Sequence, residues 1–347
     1  MPPRIVSLVP VLDLTWSRLH ANFSTPIGNA RTSWSSRETL LVRVRDAEGR
    51  EGHGEAAPLP GVSRESLEDV LVALEGLGSS IAPSELDLLK LPPSLRFALD
   101  VALRTLQASP ESLAGQLVGP ELQARIAPQF ALQILLSEVS LERASQAREE
   151  GAFAFKVKLG RPSAADSECA LLRHLRAMGR DVIIRADANM SELDETLVDA
   201  LHEVGACYVE DPGPRTASLL RRAGVPIALD ALVLEDADAA LHEILHARAT
   251  TLVLKPSLLG PVERTFMLAA RARARGGNVV LSHAMESPLG LATLHQLAFA
   301  MSATSPRALT PQGLAPWPGF DTFVHARSGE ALPMVHQSAG AHIHLPS

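Results

Sequence analysis

From about residue 127 the chain repeats one pattern seven times: a short apolar run, then a longer stretch with helical spacing. The apolar runs are Gln129–Leu135, Ala154–Leu159, Val182–Asp187, Cys207–Asp211, Pro226–Asp230, Thr251–Lys255 and Asn278–Ser282. Between them, segments such as Ser163–Met178 and Pro261–Arg275 keep their apolar residues on one helical face. Strand–helix alternation at roughly 20–30 residues per unit requires parallel strands joined by helical crossovers. Seven units in one run predict a closed (β/α) barrel rather than an open sheet.

The preceding part of the chain reads differently. Arg4–Leu14 and Thr39–Asp46 are strand-like, with a turn at Asp46–Gly49 and a return through Glu51–Ala57. Pro58–Gly61 is a tight connection, and a helix starts at Ser63 with acidic residues in its first turn. A second helix spans Pro93–Gln107. The predicted organisation is an α+β domain over residues 1–125, a barrel over 126–315, and a Pro- and Gly-rich tail over 316–347 that packs back on the first domain.

Composition removes several classes of function. The net charge is −7 with no Lys/Arg-rich run, so no nucleic-acid surface is expected. No apolar stretch approaches a membrane span, and the N-terminus lacks the features of a signal peptide. The cytoplasm is the expected compartment. Cys169 and Cys207 make neither a disulfide framework nor a zinc motif, and both are expected to be buried. Nothing in the sequence fixes an oligomeric state.

Of 32 basic residues only four are lysine: Lys90, Lys156, Lys158 and Lys255. Lysine can lose its proton and arginine cannot, so a lysine kept in an arginine-rich chain points to proton chemistry. Lys90 reads as a solvated charge between helices. The other three fall at predicted strand ends, as do Asp187, Glu210, Asp211 and Asp230. In a barrel these ends and their loops form the active site. Lys156 and Lys158, two apart, point the same way from their strand, as do Arg185 and Asp187.

Three carboxylates converging from consecutive strands require a compensating cation. Hard oxygens on a rigid rim suit Mg²⁺, and Mn²⁺ accepts the same donors. A small-molecule carboxylate held there becomes an electron sink, and a lysine of depressed pKa can remove the adjacent proton. Asp211 reads either as part of this site or as the cap of the next helix. Asn189 reads as a supporting group or as a left-handed turn residue. Arg185 either contacts substrate or braces the site.

At these motifs the chain resembles the enolase superfamily, and within it the muconate-lactonising subgroup. The resemblance runs through GEAAPLPGVSRESLE, KVK, RADAN, VEDP, the Leu–Asp strand end, LKPS and SHAMESPLGLAT, in that order over nearly the whole chain. It implies a modified (β/α)7β TIM barrel with an α+β capping domain formed by the N-terminal part and the tail. It implies Asp187, Glu210 and Asp230 as metal ligands, with Lys158 and Lys255 on opposite faces of the substrate. The cap segment and the run Ser282, Glu286, Ser287, Leu289, Gly290 are most similar to the o-succinylbenzoate synthases. That similarity implies Mg²⁺-dependent dehydration of 2-succinyl-6-hydroxy-2,4-cyclohexadiene-1-carboxylate, a step of menaquinone biosynthesis. Lys158 would be the base, Lys255 the stabilising cation and Lys156 an anchor for the carboxylate. Arg185, Ser282, Glu286 and Ser287 would contact substrate.

The chain departs from that pattern at the Asp230–Ala231–Leu232 strand end, where an Asp-Glu-Ser sequence is usual. His283 is an added ionisable group at the rim, expected in a pocket or loop rather than on a metal. On the same scaffold, racemases of N-acylamino acids, dipeptide epimerases and muconate-type cycloisomerases also place lysines about a substrate. The Asp-x-Asp pair usual in dipeptide epimerases is missing from Ser282–Pro288. A non-catalytic binding protein on the same barrel is supported only by Ala231.

Overall fold

The computed structural model describes residues 11–28, 33–87, 89–107, 113–118, 134–136, 139–303, 312–314 and 324–325. The N-terminal part is an antiparallel meander of β1 (Leu12–Gly28), β2 (Ser33–Arg45) and β3 (Glu51–Ala56). A short β4 (Ser80–Ile81) pairs with the start of β1. Leu40, Val42 and Val44 alternate to one face of β2 and pack against α1 (Leu67–Leu77) and α2 (Pro93–Gln107) through Val70, Leu74, Leu95, Ala98 and Leu99. The closest approach is between α2 and β3. A methyl group on Gly54 would lie 1.9 Å from the Ala98 carbonyl oxygen, so only glycine fits.

Two boundaries differ from the sequence expectation. β1 runs on to Gly28 rather than ending at Leu14, with a register irregularity between Asn22 and Ile27; residues 4–10 lie outside the described part. Helix α1 is capped by Ser66 rather than Ser63. The Ser66 hydroxyl accepts from the Asp69 N–H at 3.1 Å and the Asp69 carboxylate accepts from the Ser66 N–H at 2.8 Å, a reciprocal capping box. Ser63 instead donates to the carbonyls of Leu59 and Glu65.

The second part is a sheet of seven parallel strands in sequence order: β5 (Ile134–Leu136), β6 (Ala154–Lys158), β7 (Ile183–Asp187), β8 (Tyr208–Glu210), β9 (Ile227–Leu229), β10 (Thr251–Leu254) and β11 (Asn278–Leu281). Helical crossovers join them, among them Ala165–Ala177, Glu195–Glu203, Pro214–Ala223 and Val262–Ala274. Beyond β11 and the helix Pro288–Ala303, Gly313 bridges Ser282 in parallel, beside β11. A (β/α) barrel capped by an α+β domain results.

Side-chain parity explains why the strands are written as they are. Phe155, Val157, Ile184, Ala186, Val209, Leu252, Leu254, Val279 and Leu281 face the helices in the main core. The alternate positions face inward. Tyr208, Ala228, Val253 and Val280 fill the interior as a separate cluster, and the polar strand-end residues continue that row. The tail reaches the cap, since β12 (Val324–His325) pairs with β1 at Leu19 and His20. Trp317 lies outside the described residues.

Candidate active site

The site follows from the inward row. Parallel register places Lys156 beside Arg185 and Arg185 beside Tyr208; one step further, Lys158 stands beside Asp187 and Asp187 beside Glu210. Lys156 Nζ lies 2.9 Å from Asp187 Oδ2 and 2.6 Å from Glu210 Oε1. Lys255, immediately after β10, donates to Asp230 Oδ2. Lys158 Nζ donates instead to the Gly28 carbonyl at the end of the cap's first strand, 2.6 Å away.

The three lysines therefore differ electrostatically. Burial lowers the Lys158 pKa; Asp187 opposes this, but Lys156 and Arg161 add to it. Burial would also depress Lys255, yet Asp230 and Glu210 outweigh it and the pKa is raised. Lys156, between two carboxylates, is held well above an ordinary lysine despite its burial. Burial pushes the Glu210 carboxyl up to about 8; Lys156 opposes the shift, and the neighbouring charges of Asp187, Asp230 and Asp211 reinforce it.

Among the described residues no three Asp, Glu, His or Cys side chains are close enough to enclose an ion; the carboxylates are instead bonded to Lys156 and Lys255. The donor set nevertheless fits one. Glu210 Oε2 and Asp230 Oδ1 are buried and have no hydrogen-bond partner among the described residues. Buried carboxylate oxygens without partners are costly, and a hard divalent cation satisfies them.

Surrounding residues position these groups. The Asp211 carboxylate accepts from the N–H groups of Asp230 and Ala231 at 3.0 and 2.9 Å, so it orients the next strand end. It is not the cap of the following helix. That role falls to Glu192, which accepts from the N–H groups of Arg215 and Thr216. Asn189 is in the left-handed region (φ 47°), and its N–H also donates to Asp187 Oδ1, so both sequence readings apply. Arg185 is 2% exposed, with its guanidinium 5.0 Å from the Tyr208 ring centroid, a bracing position under the floor of the site. Ser282 directly follows β11, which pairs with β10, the strand just before Lys255.

Glu286 and Ser287, expected to contact substrate, are bonded to other parts of the protein. Both are fully buried. Glu286 accepts from the Ser257 hydroxyl and the Ala284 N–H, and Ser287 donates to the cap residue Glu55. These contacts hold Glu286 within the barrel and tie Ser287 to the cap. Cys207 is exposed, contrary to expectation; Cys169 is buried. Lys90 is exposed.

Sequence reasoning missed two cap residues. Arg37, 2% exposed, donates to five carbonyls, those of Glu38, Ala57 and Pro58 in the cap and of Ala284 and Met285 on the barrel rim. Glu55 accepts from the N–H groups of Ser287 and Gly290 at 3.0 and 3.1 Å. Glu55 lies inside the GEAA word, which was the available signal; Arg37 is one arginine among 28 and carried none.

Residues 140–327 match the family model for the enolase C-terminal domain-like fold. The chain belongs to this family. It is an enzyme of the enolase superfamily, and its cap matches a second family model, the MenC N-terminal domain, over residues 24–106. Protein PHYLLO, chloroplastic, of Arabidopsis thaliana is 30% identical over 317 residues, covering 80% of this chain but 18% of that much longer protein. The o-succinylbenzoate synthase of Vibrio cholerae is 28% identical over 303 residues, covering 82% of this chain and 86% of that one. Among solved structures, the o-succinylbenzoate synthase of Thermosynechococcus elongatus BP-1, complexed with Mg, has a TM-score of 0.69 at 25% identity and covers 87% of this chain and 92% of its own. A dipeptide epimerase of Methylococcus capsulatus, complexed with Mg and L-Arg-D-Lys, has the same TM-score and identity, over 88% and 90%. No helix among the described residues is long and apolar enough to cross a membrane.

Proposed function

We propose that this chain is an o-succinylbenzoate synthase, which converts 2-succinyl-6-hydroxy-2,4-cyclohexadiene-1-carboxylate to 2-succinylbenzoate and water. The observation that carries the reading is the cap. Its sequence matches the MenC N-terminal domain over residues 24–106, whereas the fold of cap and barrel together is shared with an epimerase and a racemase.

Asp187, Glu210 and Asp230 would hold Mg²⁺, which supplies positive charge to a substrate carboxylate as it gains electron density. Lys158, with its lowered pKa, takes the proton from the ring carbon that bears the carboxylate. The electron pair of that C–H bond becomes the ring π-bond as the C–O bond at the hydroxyl-bearing carbon breaks. Lys158, now protonated, gives its proton to the departing hydroxide, so water leaves and the ring is aromatic. Lys255, kept cationic beside Asp230, stabilises the developing negative charge from the other side. Lys156 ties β6 to Asp187 and Glu210 and keeps both carboxylates facing inward.

A second reading has support in the two lysines and in the Mg-bound dipeptide epimerase of equal TM-score: racemisation of an N-acylamino acid, with one lysine abstracting and the other delivering a proton. Measuring kcat/KM for aromatisation of the cyclohexadiene and for racemisation of N-succinylamino acids on one preparation separates the two. The synthase reading expects aromatisation to exceed racemisation; the reverse order would reject it.

A further inference from the structure

His283 has no role in the chemistry above, yet the structure specifies its chemical state. It follows Ser282, just past the end of β11, near enough to Lys255 and Lys156 for both charges to bear on it. The Met285 N–H donates to His283 Nδ1 at 3.2 Å. A backbone N–H can only donate, so Nδ1 accepts and carries no proton; a neutral imidazole then carries its proton on Nε2. A second proton is disfavoured by burial and by the two ammonium groups, which push the His283 pKa down to about 3. His295, which also bears on His283, bonds through its own ring to the Leu314 carbonyl. Nε2 of His283 has no hydrogen-bond partner among the described residues.

The turn that sets this tautomer is held from both sides. Met285 is in the left-handed region (φ 61°), a strained position for a residue with a side chain. Arg37 of the cap donates to the carbonyls of Ala284 and Met285, and the Glu286 carboxylate accepts from the Ala284 N–H at 2.7 Å. A strained turn fixed by two charged residues fits a requirement to aim one group.

We propose that the Nε2–H of His283 is a neutral hydrogen-bond donor that binds an oxygen of the substrate's succinyl arm and so contributes to substrate specificity. The assignment rests on the synthase reading. The ring carboxylate is drawn to the floor of lysines and carboxylates, and His283 stands past the strand end, where the arm would extend. A neutral donor there orients the arm without adding a third cation beside Lys156 and Lys255.

The test compares His283→Leu and His283→Gln with the unaltered enzyme in Mg²⁺. Glutamine returns an N–H donor near the position of Nε2 and leucine does not. The leucine variant is expected to raise KM for the cyclohexadiene at least about tenfold, with kcat within about twofold. It should weaken binding of 2-succinylbenzoate by a similar factor, and glutamine should restore most of both losses. Nitrogen-15 NMR of the unaltered protein without substrate is expected to show His283 protonated at Nε2 alone at neutral pH. An unchanged KM in the leucine variant, an equal loss from both folded variants, or an Nδ1-protonated ring would overturn the proposal. If the unaltered enzyme turns over no cyclohexadiene, the synthase reading fails by itself, and the NMR result still reports on the tautomer.

Discussion

The carboxylate of Glu55, on β3 at one edge of the cap sheet, accepts from the backbone N–H of Ser287, 232 residues later, at 3.0 Å. Ser287 directly precedes the barrel helix Pro288–Ala303, and the Gly290 N–H in its first turn bonds to the same carboxylate. A cap residue thus satisfies buried N–H donors that have no partner within the helix, at a barrel helix N-terminus where negative charge is also favoured. With Arg37 on the rim carbonyls, this contact fixes how the cap sits over the lysines.

Glu55→Ala is expected to destabilise the protein by about 2–4 kcal/mol, because it strands buried donors at a helix start. Glu55→Gln, which keeps an acceptor, should cost less than half as much. Chemical denaturation of both variants checks this; equal midpoints for alanine and the unaltered chain would reject the joint.

Gly54→Ala is expected to displace α2 from β3, since the added methyl group meets the Ala98 carbonyl at 1.9 Å and neither backbone can give way cheaply. A loss of several kcal/mol, on the order of a large core overpacking, should appear in thermal unfolding. Gly49→Ala sits in open space and costs only the strain of its φ of 79°, so it should be clearly milder.

The pH profile follows from Lys158. As the base it must be unprotonated, so kcat/KM should rise with pH and level off once Lys158 is neutral. Because its pKa is lowered, the rise should be complete below the range of an ordinary lysine. Lys158→Ala should remove about 10²–10⁴-fold of the rate and flatten that limb. A limb that survives in the residual activity of Lys158→Ala would assign the titration to another group.

Asp211→Ala tests a support rather than a ligand. Without its carboxylate the N–H groups of Asp230 and Ala231 lose their acceptor and Asp230 loses its orientation. Mg²⁺ affinity by calorimetry should fall about 10–100-fold with the fold retained by circular dichroism. Unchanged affinity would show that Asp230 is oriented by other contacts.

The readability of this chain from sequence divides by distance along it. Lys156, Lys158, Asp187, Glu210, Asp230 and Lys255 were legible because each ends or follows an apolar run, and strand parity then turns them to one interior. The start of α1 was missed because Ser63 and Ser66 both precede acidic residues, and only the reciprocal bonds to Asp69 select the second. The protein partners of Ser287 and Glu286 were not legible, because a polar word beside a strand end looks the same whether it faces a pocket, another domain or its own barrel. The contacts themselves, to Glu55 and Ser257, join parts of the chain with no local pattern between them. The length of β1 was hidden for a related reason, since the residues after Leu14 carry no clear strand pattern until pairing with β2 satisfies their backbone.

The most direct measurement follows the diene absorbance of 2-succinyl-6-hydroxy-2,4-cyclohexadiene-1-carboxylate with the purified protein and Mg²⁺, against an EDTA control and Asp187→Asn. The account predicts rapid conversion to 2-succinylbenzoate that EDTA stops and that the Asp187→Asn variant lacks. Persistent diene absorbance with folded, Mg²⁺-supplied protein would contradict the proposed activity, and turnover unaffected by EDTA would contradict the assignment of Asp187, Glu210 and Asp230.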